Sequence, residues 1–275
     1  MLVKWPKAWN MPPGDGRIRA PDKTVSWIRK NSEMVLNSCE SSYAERSCQG
    51  FLVMLLAIET SGTQGSVAIF DGPTLRFERI LGATGTRHAQ TLPAEVAAAL
   101  AHCDLQPRDI RSVAVSIGPG SFTGLRVGLT FAKTFAWLND ARLVAVDTLR
   151  AITQQVPPDM DYVTAIVDAQ RTEFFAATYR WNAERGLRCA VNDVHLASVA
   201  DLPTDYPIVG PAGNKLKTAA PDRFHVLDES LWQPHAVSVG RIGLHMLGQQ
   251  QFSDPDSLEP VYIRLSYAEE KRPHL

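Results

Sequence analysis

The chain has 275 residues and a formal net charge of −1, with 28 basic and 29 acidic side chains. This balance excludes a global basic field for nucleic acid and an acidic disordered tail. The apolar share of 45% is typical of a soluble globular protein with one or two domains. No apolar run is long enough to span a bilayer. We therefore expect a cytoplasmic protein with no membrane partner and no signal peptide.

Cysteine and histidine spacing gives no sign of a metal site. The four cysteines form no CxxC pair, and the seven histidines show neither HxxxH nor HExxH spacing. Protein metal sites commonly use such closely spaced thiolates and imidazoles. We therefore expect no metal in this chain, and a reducing compartment in which disulfides are rare.

Residues 1–53 differ from the rest of the chain. They contain scattered prolines, glycines and tryptophans, and no strand or helix period persists. The first clean strand pattern begins at Met54. We interpret residues 1–53 as a disordered or wrongly assigned extension, and the alternative is a genuine flexible arm.

The pattern after Met54 predicts a first lobe over residues 54–157. An antiparallel meander of three strands comes first, and a helix over residues 86–102 follows it. Leu92, Val96 and Leu100 form one apolar stripe of that helix, and alanines cover much of its remaining surface. Small side chains of this kind permit another helix to approach closely.

A glycine-rich turn is the most informative stretch of the sequence. It begins at Gly118, after a buried-strand pattern, and leads into a helix predicted over residues 123–139. The free N–H groups and positive dipole end of such a helix can receive an anion. The alternative is a tight connection without a ligand. The candidate nucleotide-binding or anion-binding residues are Ser61, Gly118, Gly120, Ser121 and Thr123.

The helix predicted over residues 123–139 is apolar on nearly every face. Such a helix is buried on every face, so either the domain wraps around it or a partner covers one side. A strand over residues 143–146 and a helix over residues 148–155 complete the first lobe. The pair Pro157-Pro158 then breaks the chain.

Residues 158–275 are predicted to form a smaller second lobe with a returning helix and a tail. Strands over residues 162–167, 173–179 and 187–194 repeat the meander, with a turn at Asp168-Ala169-Gln170-Arg171. A further helix is predicted over residues 237–249, interrupted by Gly240 and Gly243.

Five segments resemble the TsaB (YeaZ) family, the dimerisation subunit of the bacterial tRNA threonylcarbamoyladenosine synthase complex. In chain order they cover residues 56–61, 88–93, 118–128, 168–171 and 260–264. The glycine segment is the most specific of them. The likeness extends from Met54 to about Leu265, and it is weak in the second lobe after the first turn.

The resemblance implies an α/β architecture with two lobes. This is the sugar kinase, heat-shock chaperone and actin-like (ASKHA) fold, in which helices flank mixed sheets. It also implies a non-catalytic subunit that binds and stabilises the catalytic paralogue TsaD. Their complex forms N6-threonylcarbamoyladenosine beside the anticodon of tRNA. The other implied partners are a TsaE-like ATPase, tRNA reached through the complex, and a second copy of the chain in isolation.

The resemblance implies no catalytic residue, metal or resident cofactor in this chain, and it allows ATP or ADP to bind at the complex interface. TsaD carries a metal-binding HxxxH pair, and Thr148 and Ile152 occupy the corresponding positions here. A first alternative is a free-standing ATP-dependent phosphotransferase, with Asp147 and Asp168 as candidate acids. A second alternative is a metalloprotease, which the missing metal pair opposes.

In the family, two helices of each subunit form a four-helix interface. The corresponding helices here are those predicted over residues 86–102 and 123–139. Large apolar side chains supply buried area to such an interface, about 1.5–3 kcal/mol for each one fully covered. The candidate interface residues are His88, Leu92, Ala97, Ala101, Leu129, Phe131 and Lys133.

Three further groups of polar residues have structural interpretations. Glu59 begins the segment that corresponds to the first phosphate loop of the superfamily, and we interpret this turn as structural. Asp168 and Arg171 are interpreted as an ion pair that stabilises a turn. For Arg126 and Lys133 three alternatives stay open, namely contact with a partner, contact with a phosphate, and exposure to water.

Overall fold

The computed structural model describes residues 54–81 and 88–261, and the side chains of residues 88–90 are outside the description. The predictions for residues 1–53 and for the tail after Val261 therefore lie outside the described residues. Within the described ranges, no helix is both long enough and apolar enough to cross a membrane.

The first lobe is built on a five-stranded mixed sheet with the order β3-β2-β1-β4-β5. Strands β1, β2 and β3 form the predicted antiparallel meander, and β4 and β5 run parallel to β1. Their bounds are β1 Met54–Glu59, β2 Ser66–Asp71, β3 Thr74–Ile80, β4 Ser112–Ser116 and β5 Arg142–Val146. The parallel strands β1, β4 and β5 end at one edge of the sheet, and the glycine turn follows β4 at that edge.

Helices cover both faces of this sheet. Helix α1 (His88–His102) and helix α2 (Phe122–Asn139) pack on one face, and a short 3-10 helix (Pro107–Asp109) precedes β4. Ser121 caps α2 by accepting a 3.2 Å hydrogen bond from the backbone N–H of Gly124. The helix ends at Asp140, whose φ of 51° is left-handed.

Helix α5 (Ala236–Gly248) returns from the second lobe and covers the other face of the first sheet. The predicted interruption at Gly240 and Gly243 is wrong, because the helix is continuous. A Cβ atom on Gly240 would overlap the ring of Phe70, and one on Gly243 would lie 2.6 Å from the Cβ of Ala114. Both glycines therefore let α5 lie close to the sheet.

The second lobe contains a five-stranded sheet with the order β10-β6-β7-β8, and β9 also pairs with β7. The strand predicted over residues 187–194 is shorter, and β9 follows it after a gap. Helix α4 (Gly213–Ala219) and a 3-10 helix (Glu229–Leu231) complete the lobe. The strand bounds are β6 Tyr162–Asp168, β7 Phe174–Asn182, β8 Leu187–Ala190, β9 His195–Ala197 and β10 Ile208–Val209.

Helix α3 (Thr148–Thr153) follows the last strand of the first lobe but packs against the second sheet. Leu149 and Ile152 lie in one apolar core with residues of β6 and β7. The side chain of Arg150 also donates a 2.8 Å hydrogen bond to the carbonyl of Arg188 in β8. Helix α3 thus belongs structurally to the junction of the lobes, while the boundary at residue 157 stays a prediction.

Candidate functional site

The glycine turn lies directly against the loop that follows β1. The N–H of Ser121 donates a 2.8 Å hydrogen bond to the carbonyl of Ser61. A Cβ atom on Gly120 would lie 2.5 Å from that carbonyl oxygen, and Cβ atoms on Gly124 and Gly128 would overlap atoms of Thr60. The three glycines follow one another at intervals of four residues and therefore lie on one side of the start of α2. That side carries no side chains, so it packs directly against the loop.

Glu59 organises this loop from within. It is fully buried, and its Oε1 accepts hydrogen bonds from both the backbone N–H and the hydroxyl of Ser61. Burial raises the pKa of Glu59 above its ordinary value, and the hydrogen bonds from Ser61 offset part of that rise. The Glu59 carboxyl therefore acts on the chain's own loop, which agrees with the structural interpretation of this turn.

The structure brings the five candidate anion-binding residues to this one region. Their available polar groups are partly used within the chain, since Ser61 is bonded to Glu59 and Ser121, and the Ser121 hydroxyl caps α2. The N–H of Thr148 donates a 3.0 Å hydrogen bond to the carbonyl of Gly118. Thr123 is exposed in the first turn of the helix. Anion binding at these residues stays a prediction.

Asp147, a candidate acid of the phosphotransferase alternative, is engaged at both carboxylate oxygens. Its Oδ1 accepts from the N–H of Leu149 at 2.7 Å and caps α3, and its Oδ2 accepts from the hydroxyl of Tyr179 at 2.6 Å. Burial raises the pKa of Asp147, and the hydrogen bond from Tyr179 is the largest opposing effect. The carboxylate thus joins the start of α3 to β7 in the second lobe.

Thr148 and Ile152, which the resemblance aligns with the metal-binding histidines of TsaD, lie in the interior. Thr148 is 1% exposed and Ile152 is 0% exposed, and Ile152 packs in the core of the second lobe. An isoleucine side chain has no atom that can ligate a metal. Across residues 54–81 and 88–261, no three His, Cys, Asp or Glu side chains are grouped so that they could hold a metal ion.

Asp168 lies in the predicted turn between β6 and β7. Its carboxylate pairs with the ammonium group of Lys215 on α4, and its Oδ1 also accepts a 2.8 Å hydrogen bond from the N–H of Gln170. Gln170 and Arg171 adopt left-handed φ values of 71° and 51°. The sequence did not predict the cation from α4, which lies 47 residues further along the chain.

Four of the predicted interface residues divide into an exposed pair and a buried pair. Ala97 and Ala101 are exposed on α1, together with Ala94 and Ala98. Leu92 and Leu129 are 0% and 3% exposed and belong to the core of the first lobe. These two leucines therefore support the helix pair from beneath, while the alanines form its surface.

Three other predicted interface residues differ in what the structure shows of them. Phe131 is partly buried and packs against the core of the first lobe and against Phe135. The Nζ of Lys133 donates a 3.1 Å hydrogen bond to the carbonyl of Leu258. The side chain of His88 lies outside the described residues. Arg126, noted with Lys133, stacks over the ring of Phe122 at 3.8 Å.

The most exposed aromatic residue of this region was not among the predicted interface residues. Trp137 is 78% exposed and Leu138 is 67% exposed, both in the last turn of α2. The pattern carried a signal for them, because a helix that is apolar all round requires a cover on every face. The lobe supplies that cover for only part of α2.

Two mixed sheets flanked by helices, joined at α3 and α5, define a two-lobed α/β protein of the ASKHA fold. The family model described as TsaD, tRNA N6-adenosine threonylcarbamoyltransferase, matches residues 83–238. That match covers more than half of the chain. The chain therefore belongs to this family, and the predicted resemblance to TsaB (YeaZ) is confirmed.

Two curated relatives are both described as tRNA threonylcarbamoyladenosine biosynthesis protein TsaB. The Bacillus subtilis protein is 32% identical over 127 residues, which are 46% of this chain and 55% of that protein. The chain thus spans about half the length of this relative. The Escherichia coli protein is 25% identical over 228 residues, which are 80% of this chain and 98% of that protein.

A solved structure supports the fold. A Pseudomonas aeruginosa protein described as similar to the peptidase YEAZ superposes with a TM-score of 0.69 at 22% identity. The superposition covers 77% of this chain and 100% of that protein. At this level of identity the likeness shows the fold alone.

Proposed function

We propose that this chain is a non-catalytic subunit of the machinery that forms N6-threonylcarbamoyladenosine in tRNA. In this role it binds and stabilises a TsaD-like catalytic paralogue in the cytoplasm. The names of the B. subtilis and E. coli relatives support the pathway. The observation that carries the subunit role is the exposed surface of α1 and α2. We call this surface the helix face, and it consists of Ala94, Ala97, Ala98, Ala101, Trp137 and Leu138.

The helix face has the composition of a protein interface. Alanines on α1 let a partner helix approach closely, and large apolar side chains at the end of α2 offer area to bury. A tryptophan as exposed as Trp137 is unusual on a surface without a partner, and tryptophan is enriched among residues that dominate binding. The composition of the helix face therefore favours a partner that binds through helices.

A paralogue with the same helices is the partner that fits best. Two copies of one helix pair form a self-complementary packing when they are related by a two-fold axis. A Streptococcus pneumoniae protein described as tRNA N6-adenosine threonylcarbamoyltransferase is 31% identical over 138 residues, 43% of this chain and 41% of that protein. The same geometry would allow a homodimer in isolation. The further proposed partners of the complex are a TsaE-like ATPase and tRNA.

The interior of the junction supports a role without its own catalysis. The resemblance aligns Thr148 and Ile152 with the metal-binding histidines of TsaD, and neither residue is a histidine. Asp147 is bonded at both oxygens. The phosphotransferase alternative needs a carboxylate that can reach an acceptor hydroxyl. Neither Asp147 nor Asp168, which pairs with Lys215, is placed for that task.

Co-purification with the TsaD-like paralogue of the same organism tests the proposal. The paralogue is expressed with the full chain, and tRNA modification is then measured with and without this chain. Ala97→Glu or Ala101→Glu is expected to weaken the complex and reduce modification, because a buried unpaired carboxylate is costly. Ala183→Glu, at an exposed turn of the second lobe, is the matched control and should leave both unchanged.

Three results would contradict the proposal. One is tRNA modification by this chain without any paralogue. Another is full modification by the paralogue when this chain is absent. The third is a complex that tolerates both glutamates on α1 while circular dichroism shows folded variants.

A further inference from the structure

The segment that follows α5 lies along the side of α2 that faces away from α1. Helix α1 packs over β2 and β3, whereas α2 packs over β4 and β5, so α2 lies nearer the β5 edge of the sheet. The N–H of Ser253 donates a 2.8 Å hydrogen bond to the carbonyl of Leu143 on that edge. The side chains of Leu258 and Val261 enter the same core as α1 and α2. Residues 252–259 therefore border α2 on the side opposite α1.

Hydrogen bonds fix this segment beside α2. The Nζ of Lys133 on α2 donates a 3.1 Å hydrogen bond to the carbonyl of Leu258. Within the segment, the carboxylate of Asp254 accepts a 2.7 Å hydrogen bond from the hydroxyl of Ser257 and a 3.0 Å hydrogen bond from the N–H of Asp256. These two bonds lower the pKa of Asp254, so its carboxylate is ionised at neutral pH. The segment thus presents a fixed charge next to the helix.

The surface at this side of α2 carries more acidic than basic side chains. Four exposed carboxylates lie there, and we call them, together with Phe252, the acidic flank: Asp140, Asp254, Asp256 and Glu259. Across residues 54–81 and 88–261, none of the four forms a salt bridge. Two basic side chains, Lys133 and Arg142, offset part of this charge, and the four carboxylates exceed them by two. The acidic flank is therefore a negatively charged strip.

Apolar side chains continue from the helix face onto the acidic flank. Phe252 is 43% exposed, and the guanidinium of Arg142 lies 4.7 Å from the centre of its ring. Arg142 begins β5 only four residues after Leu138 in the last turn of α2. Specific interfaces use about 20–30 residues on each side, so a partner on the six residues of the helix face also covers neighbouring segments. The acidic flank is the neighbour on the α2 side.

We infer that the acidic flank is a second part of the docking surface, and that it binds a segment of the TsaD-like paralogue that carries lysine or arginine beside an apolar side chain. This inference rests on the proposed subunit role and specifies the chemistry of the partner. The exposed carboxylates attract a cationic segment during association, and the ring of Phe252 offers area to bury. Like charges suppress wrong partners, so the acidic flank disfavours the phosphate groups of tRNA and a second acidic flank.

The rate of association with the paralogue tests the acidic flank. Asp140→Asn, Asp256→Asn and Glu259→Gln, combined in one full chain, remove three charges and keep the hydrogen bonds to the Asp254 carboxylate. Asparagine is tolerated at the left-handed φ of position 140. The association rate constant is expected to fall about tenfold at about 20 mM salt and less than about twofold at about 0.5 M salt, because salt screens exposed charges. Stopped-flow fluorescence measures both rates.

The matched control removes three carboxylates from the second lobe by Glu184→Gln, Asp205→Asn and Asp222→Asn. All three residues are exposed, and Asp222 has a φ of 56°, close to the 51° of Asp140. The control has the same net charge as the flank variant, and it should associate as fast as the wild type at both salt concentrations. Equal rates of the two triple variants at low salt would overturn the inference.

The Ala97→Glu variant separates failure of this inference from failure of the proposed function. A paralogue that binds the wild type, is weakened by Ala97→Glu and associates equally fast with the flank variant would contradict the acidic flank alone. A paralogue that does not bind the wild-type chain would contradict both the subunit role and the acidic flank.

Photo-crosslinking identifies what lies on the acidic flank. The photoreactive residue p-benzoylphenylalanine replaces Phe252 in the full chain, the chain is mixed with the paralogue, and the crosslinked segment is mapped by mass spectrometry. A paralogue segment of net positive charge is expected. An acidic paralogue segment, or the absence of any crosslink to the paralogue, would overturn the inference. Crosslinks only to a second copy of this chain, to a TsaE-like ATPase or to tRNA would assign the flank to that partner and overturn it as well.

Discussion

The hydroxyl of Thr60 donates a 2.8 Å hydrogen bond to the carbonyl of Gly124, and this contact fixes the start of α2 against the first loop. The two residues are 64 positions apart in the chain. No side chain fits between them, because a Cβ atom on Gly124 would overlap the Thr60 carbonyl oxygen. The glycine turn thus supports close packing of two loops.

Alanine substitutions at Gly124 and Gly128 in α2 are expected to distinguish a clash with backbone atoms from a clash with a side chain. In Gly124→Ala the added methyl group would overlap backbone atoms of Thr60. Overpacking of this kind lowers the free energy of unfolding by about 1–3 kcal/mol or more. In Gly128→Ala the added methyl group would overlap the Thr60 hydroxyl. Adding Thr60→Ala to the same chain should therefore recover most of the lost stability. Urea unfolding measures each free energy.

The control for this series is Gly248→Ala. Nothing lies within 4 Å of a Cβ atom there, and alanine favours a helix by up to about 1 kcal/mol. We therefore expect an unchanged or slightly higher stability. A Gly124→Ala variant as stable as the wild type would contradict the packing described for the turn.

The half-buried Asp147 predicts a particular pH dependence of stability. Burial raises its folded pKa above the ordinary value of 3.8, so the folded state holds the proton more strongly than the unfolded state. Its contribution is therefore fully present below about pH 4 and is lost as pH rises through the folded pKa. Asp147→Asn keeps the cap of α3 and should remove this fall, as measured by urea unfolding between pH 4 and 8.

Tyr179→Phe tests the same carboxylate from the other side. The variant leaves Asp147 Oδ2 without its hydroxyl donor, which is expected to cost about 1–3 kcal/mol at pH 7. The loss should shrink toward pH 4, because a protonated carboxyl needs the donor less. A loss that is equal at both pH values would show that the hydroxyl acts through packing alone.

The side chain of Arg188 is fully buried, and its guanidinium donates hydrogen bonds to backbone carbonyls. Arg188→Met leaves these acceptors buried without donors, so we expect the free energy of unfolding to fall by about 2–5 kcal/mol. Arg188→Lys should recover part of this, since an ammonium has three donors. The carbonyls bonded to the guanidinium belong to Val156, Pro157, Met160 and Asp161.

Arg108→Met is the matched control for Arg188, because this arginine is exposed in the 3-10 helix before β4. Exposed substitutions usually change stability by less than about 0.5 kcal/mol. Equal losses from Arg188→Met and Arg108→Met in denaturant unfolding would be inconsistent with the role of the buried guanidinium.

Trp137→Ala is expected to weaken the proposed complex strongly and to leave the isolated fold intact. A tryptophan that anchors an interface contributes about 2 kcal/mol or more, which is about a thirtyfold rise in the dissociation constant. The side chain is 78% exposed in the single chain, so its removal creates no cavity there. Calorimetric titration with the TsaD-like paralogue measures the change.

Leu196→Ala provides the comparison, since this residue is an exposed apolar side chain of β9 in the second lobe. It should bind the paralogue as tightly as the wild type. If Trp137→Ala and Leu196→Ala bind equally well, the helix face is wrongly placed.

Local patterns predicted much of the fold. The meander before α1 and the glycine turn between β4 and α2 were predicted because apolar alternation and turn residues act over a few positions. The same reasoning failed at α5, where glycine propensity indicated an interruption. Contact with Phe70 and Ala114 outweighs that propensity, and both partners are more than 120 residues away in sequence.

By itself, the sequence determined the order of strands and helices in the first lobe, the position of the turn at Gly118 and the absence of histidines at positions 148 and 152. Only the tertiary structure decided how those parts are used. It brought Glu59 onto Ser61, placed Lys133 against the carbonyl of Leu258 and left Trp137 exposed on α2. The reason is physical, because strands and turns follow from neighbouring residues, whereas burial and hydrogen-bond partners depend on segments that meet only after folding.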